Sequence, residues 1–193
     1  PEAMVNYLAL LGWNPGTEQE FFTFDELVRA FDVARVQKAS AMFDWDKLDW
    51  LDGQHIRALS DEELACRLGP YLPELSEPTR RAAAPALKER LPRLDKAAEL
   101  LAYLTRPPTP PELDEGQREM VRVAAERLEQ ADWTPEVVEQ VLEEAGTAYG
   151  WSRRKFFSPI RAAIAGRDTP PIHHTLALLP KEEAMARLRS AIT

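Results

Sequence analysis

FDWDKLDWLDGQHIR, residues 43–57, is where the fold is decided. If Trp45 opens a helix, Leu48, Leu51 and Ile56 share a face that can meet a core. Lys47, Trp50 and Arg57 then fall near a second face, at i, i+3 and i+10. That second face has two readings. It is either the solvated side of a core helix, or a flat indole beside cations, which suits a sugar–phosphate chain.

Working outward, the same helical logic covers nearly the whole chain. PEAMVNYLALL carries apolar residues at 4, 5, 8, 10 and 11 behind a first-turn proline, and GWNPGTEQ breaks it. Thr23 with Glu26, and Ser60 with Glu63, form capping-box patterns that open two short helices. The second of these stops near Gly69–Pro70. Helices are expected from about Glu77 to Arg90, with Pro85 only nicking it, and from Leu94 to Thr105. RPPTPP, 106–111, forbids a continuous helix and marks a boundary. Beyond it, helices are expected from about Glu115 to Ala131, from Thr134–Pro135 to AGTAYG, and from Ser152 to Gly166. TPPIHHTLALL and PKEEAMARLRSAI supply two more. No alternating strand pattern and no repeat period stands out, so the expected class is all-α.

Composition narrows the function. No run approaches the roughly 18 apolar residues of a membrane span. Cys66 is the only cysteine, so the chain has no intrachain disulfide and no cysteine-based zinc site, which suits the cytoplasm. His55, His173 and His174 do not make a metal cluster, because adjacent helical residues diverge by about 100°. The net charge of −8 argues at first against nucleic acid, but the charge is segregated. Residues 111–150 hold eleven acids and three bases, residues 151–193 eight bases and three acids, and residues 79–106 seven bases and three acids. Two locally basic segments matter more to a polyanion than the total.

No phosphate-cradling loop, dinucleotide fingerprint, H-E-x-x-H or G-x-S-x-G is present. Carboxylate pairs such as Asp44/Asp46 and Glu143/Glu144 sit where nothing nearby would raise a pKa. YGWSRRKFFSPIR interleaves Tyr149, Trp151, Phe156 and Phe157 with Arg153, Arg154, Lys155 and Arg161. Rings beside cations suit bases and phosphates. Equally, Trp151, Phe156 and Ile160 at helical spacing suit a core with the arginines solvated. As phosphate contacts the candidates are Arg153, Arg154 and Lys155.

The order of these motifs resembles the C-terminal part of bacterial glutamyl-tRNA synthetases, a class I ligase family. PEAMVNYLALLGW resembles the segment that follows the family's lysine-rich signature loop, and the chain reads as cut from something longer. FTFDELVRAF followed by AMFDWDKLDWLDGQHIR is similar to the family's stem-contact region, and GRDTPPIHHTLALLPKEEAMARLRSAI to its closing segment. The resemblance implies a helical stem-contact segment at 1–58, then two small helical anticodon-binding units at 59–106 and 107–193. By residue, it implies stem contacts at Lys47, Trp50 and Arg57, and anticodon contacts at Arg90, Arg161, Thr169, Pro170 and Ile172. Arg93 is the alternative to Arg90.

Two positions depart from the family: Asp52 stands where asparagine is usual, and Pro180 where glycine is usual. The implied partners are glutamate tRNA and the catalytic domain of the same parent chain, in a cytoplasmic monomer away from membranes. The implied parent uses ATP and magnesium, while this segment needs no cofactor and catalyses nothing itself. The rival class is a helical protein–protein interaction module that does not bind RNA.

Overall fold

The computed structural model describes residues 1–37, 42–166 and 169–193. Ala41, inside the second family-like motif, and Arg167 and Asp168, inside the closing one, lie outside the described residues. Among the described residues the fold is all-α, with eleven α-helices and one isolated antiparallel bridge between Trp13 and Val36.

The N-terminal part is built on α1 (Glu2–Gly12), α2 (Phe24–Ala30) and α3 (Trp45–Ala58). Helix α3 starts at Trp45, as the helical spacing of 43–57 predicts. Asp44 caps it by accepting from the Asp46 and Lys47 amides, which satisfies two of the amides a helix start leaves free. Leu48 and Leu51 turn inward onto Ala3 and Tyr7 of α1. Asn6 is buried and pins the connecting loop, donating to the Glu20 carbonyl and accepting from the Phe22 amide, both at 2.9 Å. A second small cluster gathers Trp13, Phe22 and Leu27.

Both capping boxes read from the sequence form, at Thr23/Glu26 and at Ser60/Glu63. Each such cap stabilises its helix by ~1 kcal/mol. A third, Asp114/Gln117, opens α7 (Glu115–Glu129). Helices α4 (Asp61–Arg67) and α5 (Glu77–Lys88) pack together, and the Arg80 guanidinium clamps the loop between them through the Ala65, Leu72 and Leu75 carbonyls. Pro85 sits inside α5 without ending it.

The helix expected over Leu94–Thr105 is not continuous. A 3-10 turn at Leu94–Lys96, a four-residue α6 (Ala97–Leu100) and another 3-10 turn at Ala102–Leu104 replace it. The buried set explains the break. Ala97 and Leu101 share a helical face, but Tyr103 is also buried, and a tightened turn brings it to the same core.

The C-terminal bundle comprises α7, α8 (Pro135–Ala148), α9 (Arg153–Ala165), α10 (Ile172–Ala177) and α11 (Lys181–Ala191). Helices α8 and α9 approach closely at Gly146, where a Cβ would stand 3.3 Å from Phe156 Cδ1. Gly166 closes α9 at φ +80°, a conformation that disfavours side chains. One hydrophobic cluster runs from Ile56 to Ala191, through Leu87, Leu101, Leu128, Leu142 and Phe156. Arg187, 8% exposed, ties the two sides of the 106–111 stretch by donating to the Tyr103 and Ile164 carbonyls at 2.9 and 2.7 Å.

Candidate nucleic-acid interface

Three basic features lie on this scaffold. The first is the outer side of α3. Trp50 is 43% exposed, while Leu48, Leu51 and Ile56 are buried, so the two faces of 43–57 separate as the spacing requires. The Arg57 guanidinium folds back over Gly53, where a Cβ would lie 3.4 Å from its terminal nitrogens. Trp50, Arg57 and Arg90 line one shallow depression. Lys47 stands apart from it, in an ion pair with Glu20.

The second feature joins distant segments. Arg90, just past α5, donates to the Thr169 carbonyl at 3.1 Å. Arg161, on α9, lies close enough that Arg90, after burial itself, lowers its pKa from the ordinary guanidinium value. The Arg161 Nε and the Thr169 Oγ1 are both buried without a hydrogen-bond partner among the described residues. Such orphaned polar atoms mark a place where a ligand's polar atoms or a water can be received. Pro170 and Ile172 are buried, Ile172 at 1% exposure within the core. Arg93, the alternative to Arg90, is chelated by both carboxylate oxygens of Asp95 at 3.0 and 3.1 Å.

The third feature is a groove of about 1140 Å3 between the proline-rich segment and α9, edged by Arg153, Arg154 and Arg161. A neighbouring cavity, between the starts of α7 and α9, is edged by Arg154 and Lys155. The four aromatics of 149–157 divide differently from an open stacking platform. Phe156 and Phe157 are buried, Trp151 is half-buried, and only Tyr149 is exposed, stacked on Trp151 at 4.7 Å and 18°. Helical spacing wins over the interleaved pattern here, because α9 must cover the core.

Residues 63–192 match the family described as "Anticodon binding domain". The chain belongs to that family. Residues 1–50 of this anticodon binding domain protein match "tRNA synthetases class I (E and Q), catalytic domain". It is 40% identical over 213 residues to a glutamate–tRNA ligase of Acidothermus cellulolyticus, covering 99% of this chain and 42% of the relative. A glutamate–tRNA ligase of Streptomyces coelicolor is 36% identical over 210 residues, again covering 42% of that relative. The chain therefore spans about two fifths of the length of these relatives. In fold it is similar to a crystal structure of a glutamate tRNA ligase from Elizabethkingia meningosepticum, with a TM-score of 0.80 at 24% identity, over 100% of this chain and 41% of that one.

Within this anticodon binding domain protein, two features of the site had no signal in the sequence. Arg153 is held by Glu139 and Glu143 of α8, ten and more residues away. Asp52 is half-buried, and burial raises its pKa above the usual carboxylate value.

Proposed function

We propose that this chain is the tRNA-binding portion of a glutamate–tRNA ligase, gripping glutamate tRNA along its stem and anticodon. In this reading it acts within one cytoplasmic, monomeric polypeptide whose class I catalytic domain uses ATP and magnesium. Trp50, Arg57 and Lys47 meet the stem, with Lys47 exchanging Glu20 for phosphate. Arg154 and Lys155 meet phosphates, and Arg90, Arg161 and the Thr169–Ile172 segment receive the anticodon. The units at 59–106 and 107–193 carry the anticodon together.

One observation supports this reading above the others: Arg90 binds the Thr169 carbonyl and lies near Arg161, whose Nε is buried without a partner among the described residues. Guanidinium donors stay charged at physiological pH and present fixed geometry to acceptor atoms, which suits base edges and phosphates. The overall charge of −8 keeps register-free polyanions at a distance, while the local cations supply the contact.

The test is a titration of the chain with a glutamate tRNA transcript at two salt concentrations. Affinity that falls steeply with salt, and falls further with Arg154→Glu, supports the reading. Binding that ignores salt, or no binding at low salt, rejects it in favour of a protein partner.

A further inference from the structure

The groove along α9 is edged by three arginines, but they are not equivalent. Arg153 is 57% exposed, yet its two terminal nitrogens engage Glu139 and Glu143, and its Cζ lies 5.2 Å from the centroid of the Phe157 ring. Among the described residues, no carboxylate ion pair engages Arg154 or Arg161. His173 Nδ1 lies 3.3 Å from the same Glu139 carboxylate without a hydrogen bond to it. The Arg153 guanidinium is thus held on three sides, by two carboxylates and a ring face, at the rim of a groove whose other arginines have no carboxylate partner among the described residues.

We propose that Glu139 and Glu143 are specificity determinants, withholding Arg153 from RNA that has no fixed register in the groove. This rests on the tRNA-binding reading above. The two carboxylates occupy the same fork of donors that a phosphate would take. An RNA that takes Arg153 leaves two uncompensated negative charges beside its own backbone, and like charges at that range repel. An RNA held only by phosphates slides to collect every available cation, so it loses most when one is withheld. A tRNA positioned by base contacts at Arg90 is already fixed outside the groove, and it loses less.

The experiment uses the full chain carrying Glu139→Gln with Glu143→Gln, titrated with an oligouridylate and with a glutamate tRNA transcript at two salt concentrations. Oligouridylate binding should tighten roughly three-fold, and its salt slope should steepen by about 0.7, the value of one more single-strand phosphate contact. The tRNA should gain less, so the preference for it narrows. On an Arg153→Gln background the same pair should change nothing. Glu143→Gln alone, which removes only an Arg153 partner, should give part of the gain and does not depend on the double variant folding. An unchanged preference, or a gain that persists without Arg153, overturns the inference. If the unaltered chain fails to bind tRNA at low salt, the tRNA-binding reading falls, and this inference falls with it. If it binds and only the preference fails to move, this inference alone is lost.

Discussion

The Arg90 guanidinium and the Thr169 carbonyl, 79 positions apart in the chain, are joined by one hydrogen bond of 3.1 Å. Among the described residues it is the one hydrogen bond that this guanidinium makes, and Arg161 is near enough for the Arg90 charge to add to burial in lowering its pKa. Glutamate and glutamine tRNAs differ at the third anticodon base, cytosine against guanine, and in the tRNA-binding reading a bulky, fixed cationic fork suits the acceptors of the smaller base. In the longer ligase proposed for this chain, Arg90→Gln should cost ~1–3 kcal/mol of discrimination, by analogy with DNA base readout. The measurement is the ratio of charging for the two tRNAs, with activation of free glutamate unchanged. An unaltered ratio moves the assignment to Arg161.

Trp50→Ala separates contact from core. The indole is exposed on the outer side of α3, so its loss should leave the melting temperature within a degree or two while weakening tRNA binding several-fold. Leu51→Ala, one position on and fully buried, should instead cost ~2–5 kcal/mol of stability. A large thermal shift for Trp50→Ala would place the indole in the core.

His55 makes stability depend on pH. Its ring lies 4.8 Å from that of Phe21, its Nε2 is buried without a partner among the described residues, and burial lowers its pKa below 6.5. The unfolded chain therefore binds this proton more readily than the folded one. The stabilisation from a neutral His55 is complete above about pH 6.5 and is lost as pH falls through that value toward the folded pKa. Thermal melts between pH 7.5 and 5 should show this fall, and His55→Gln should flatten it.

Arg187→Met tests the tie across the proline-rich stretch. The substitution keeps the aliphatic stem but leaves the Tyr103 and Ile164 carbonyls without their donor. Unsatisfied buried acceptors cost ~1–3 kcal/mol each, so the melting temperature should fall by several degrees. A variant as stable as the parent would mean that water replaces the guanidinium without cost.

Local chemistry made much of this fold legible. Ser60 with Glu63 and Thr23 with Glu26 place helix starts to within a residue, because a cap is a short-range bond with a fixed spacing. The 43–57 stretch gave its inward face correctly for the same reason: periodicity is local. Leu94–Thr105 misled because burial of Tyr103, a tertiary demand, overrode a good helical pattern. The site was harder still. The sequence offered Arg90 only through family resemblance and Arg161 otherwise only as one cation of an interleaved stretch, and no spacing rule could have joined Arg90 to Thr169. Nor could charge segregation reveal that Arg153 is engaged by acids of the preceding helix, since α8 and α9 meet only after folding.

Gly146 carries no chemistry, yet it governs how far the groove's cations reach. With Phe156 lying against the space a Cβ would fill, α9 rests on α8 as a beam on a pivot. Arg161 sits five residues along that beam, about 7.5 Å at 1.5 Å per residue. A methyl group at the pivot displaces the near end of α9 by a few tenths of an ångström, so the placing of Arg161 depends on a residue that carries no charge.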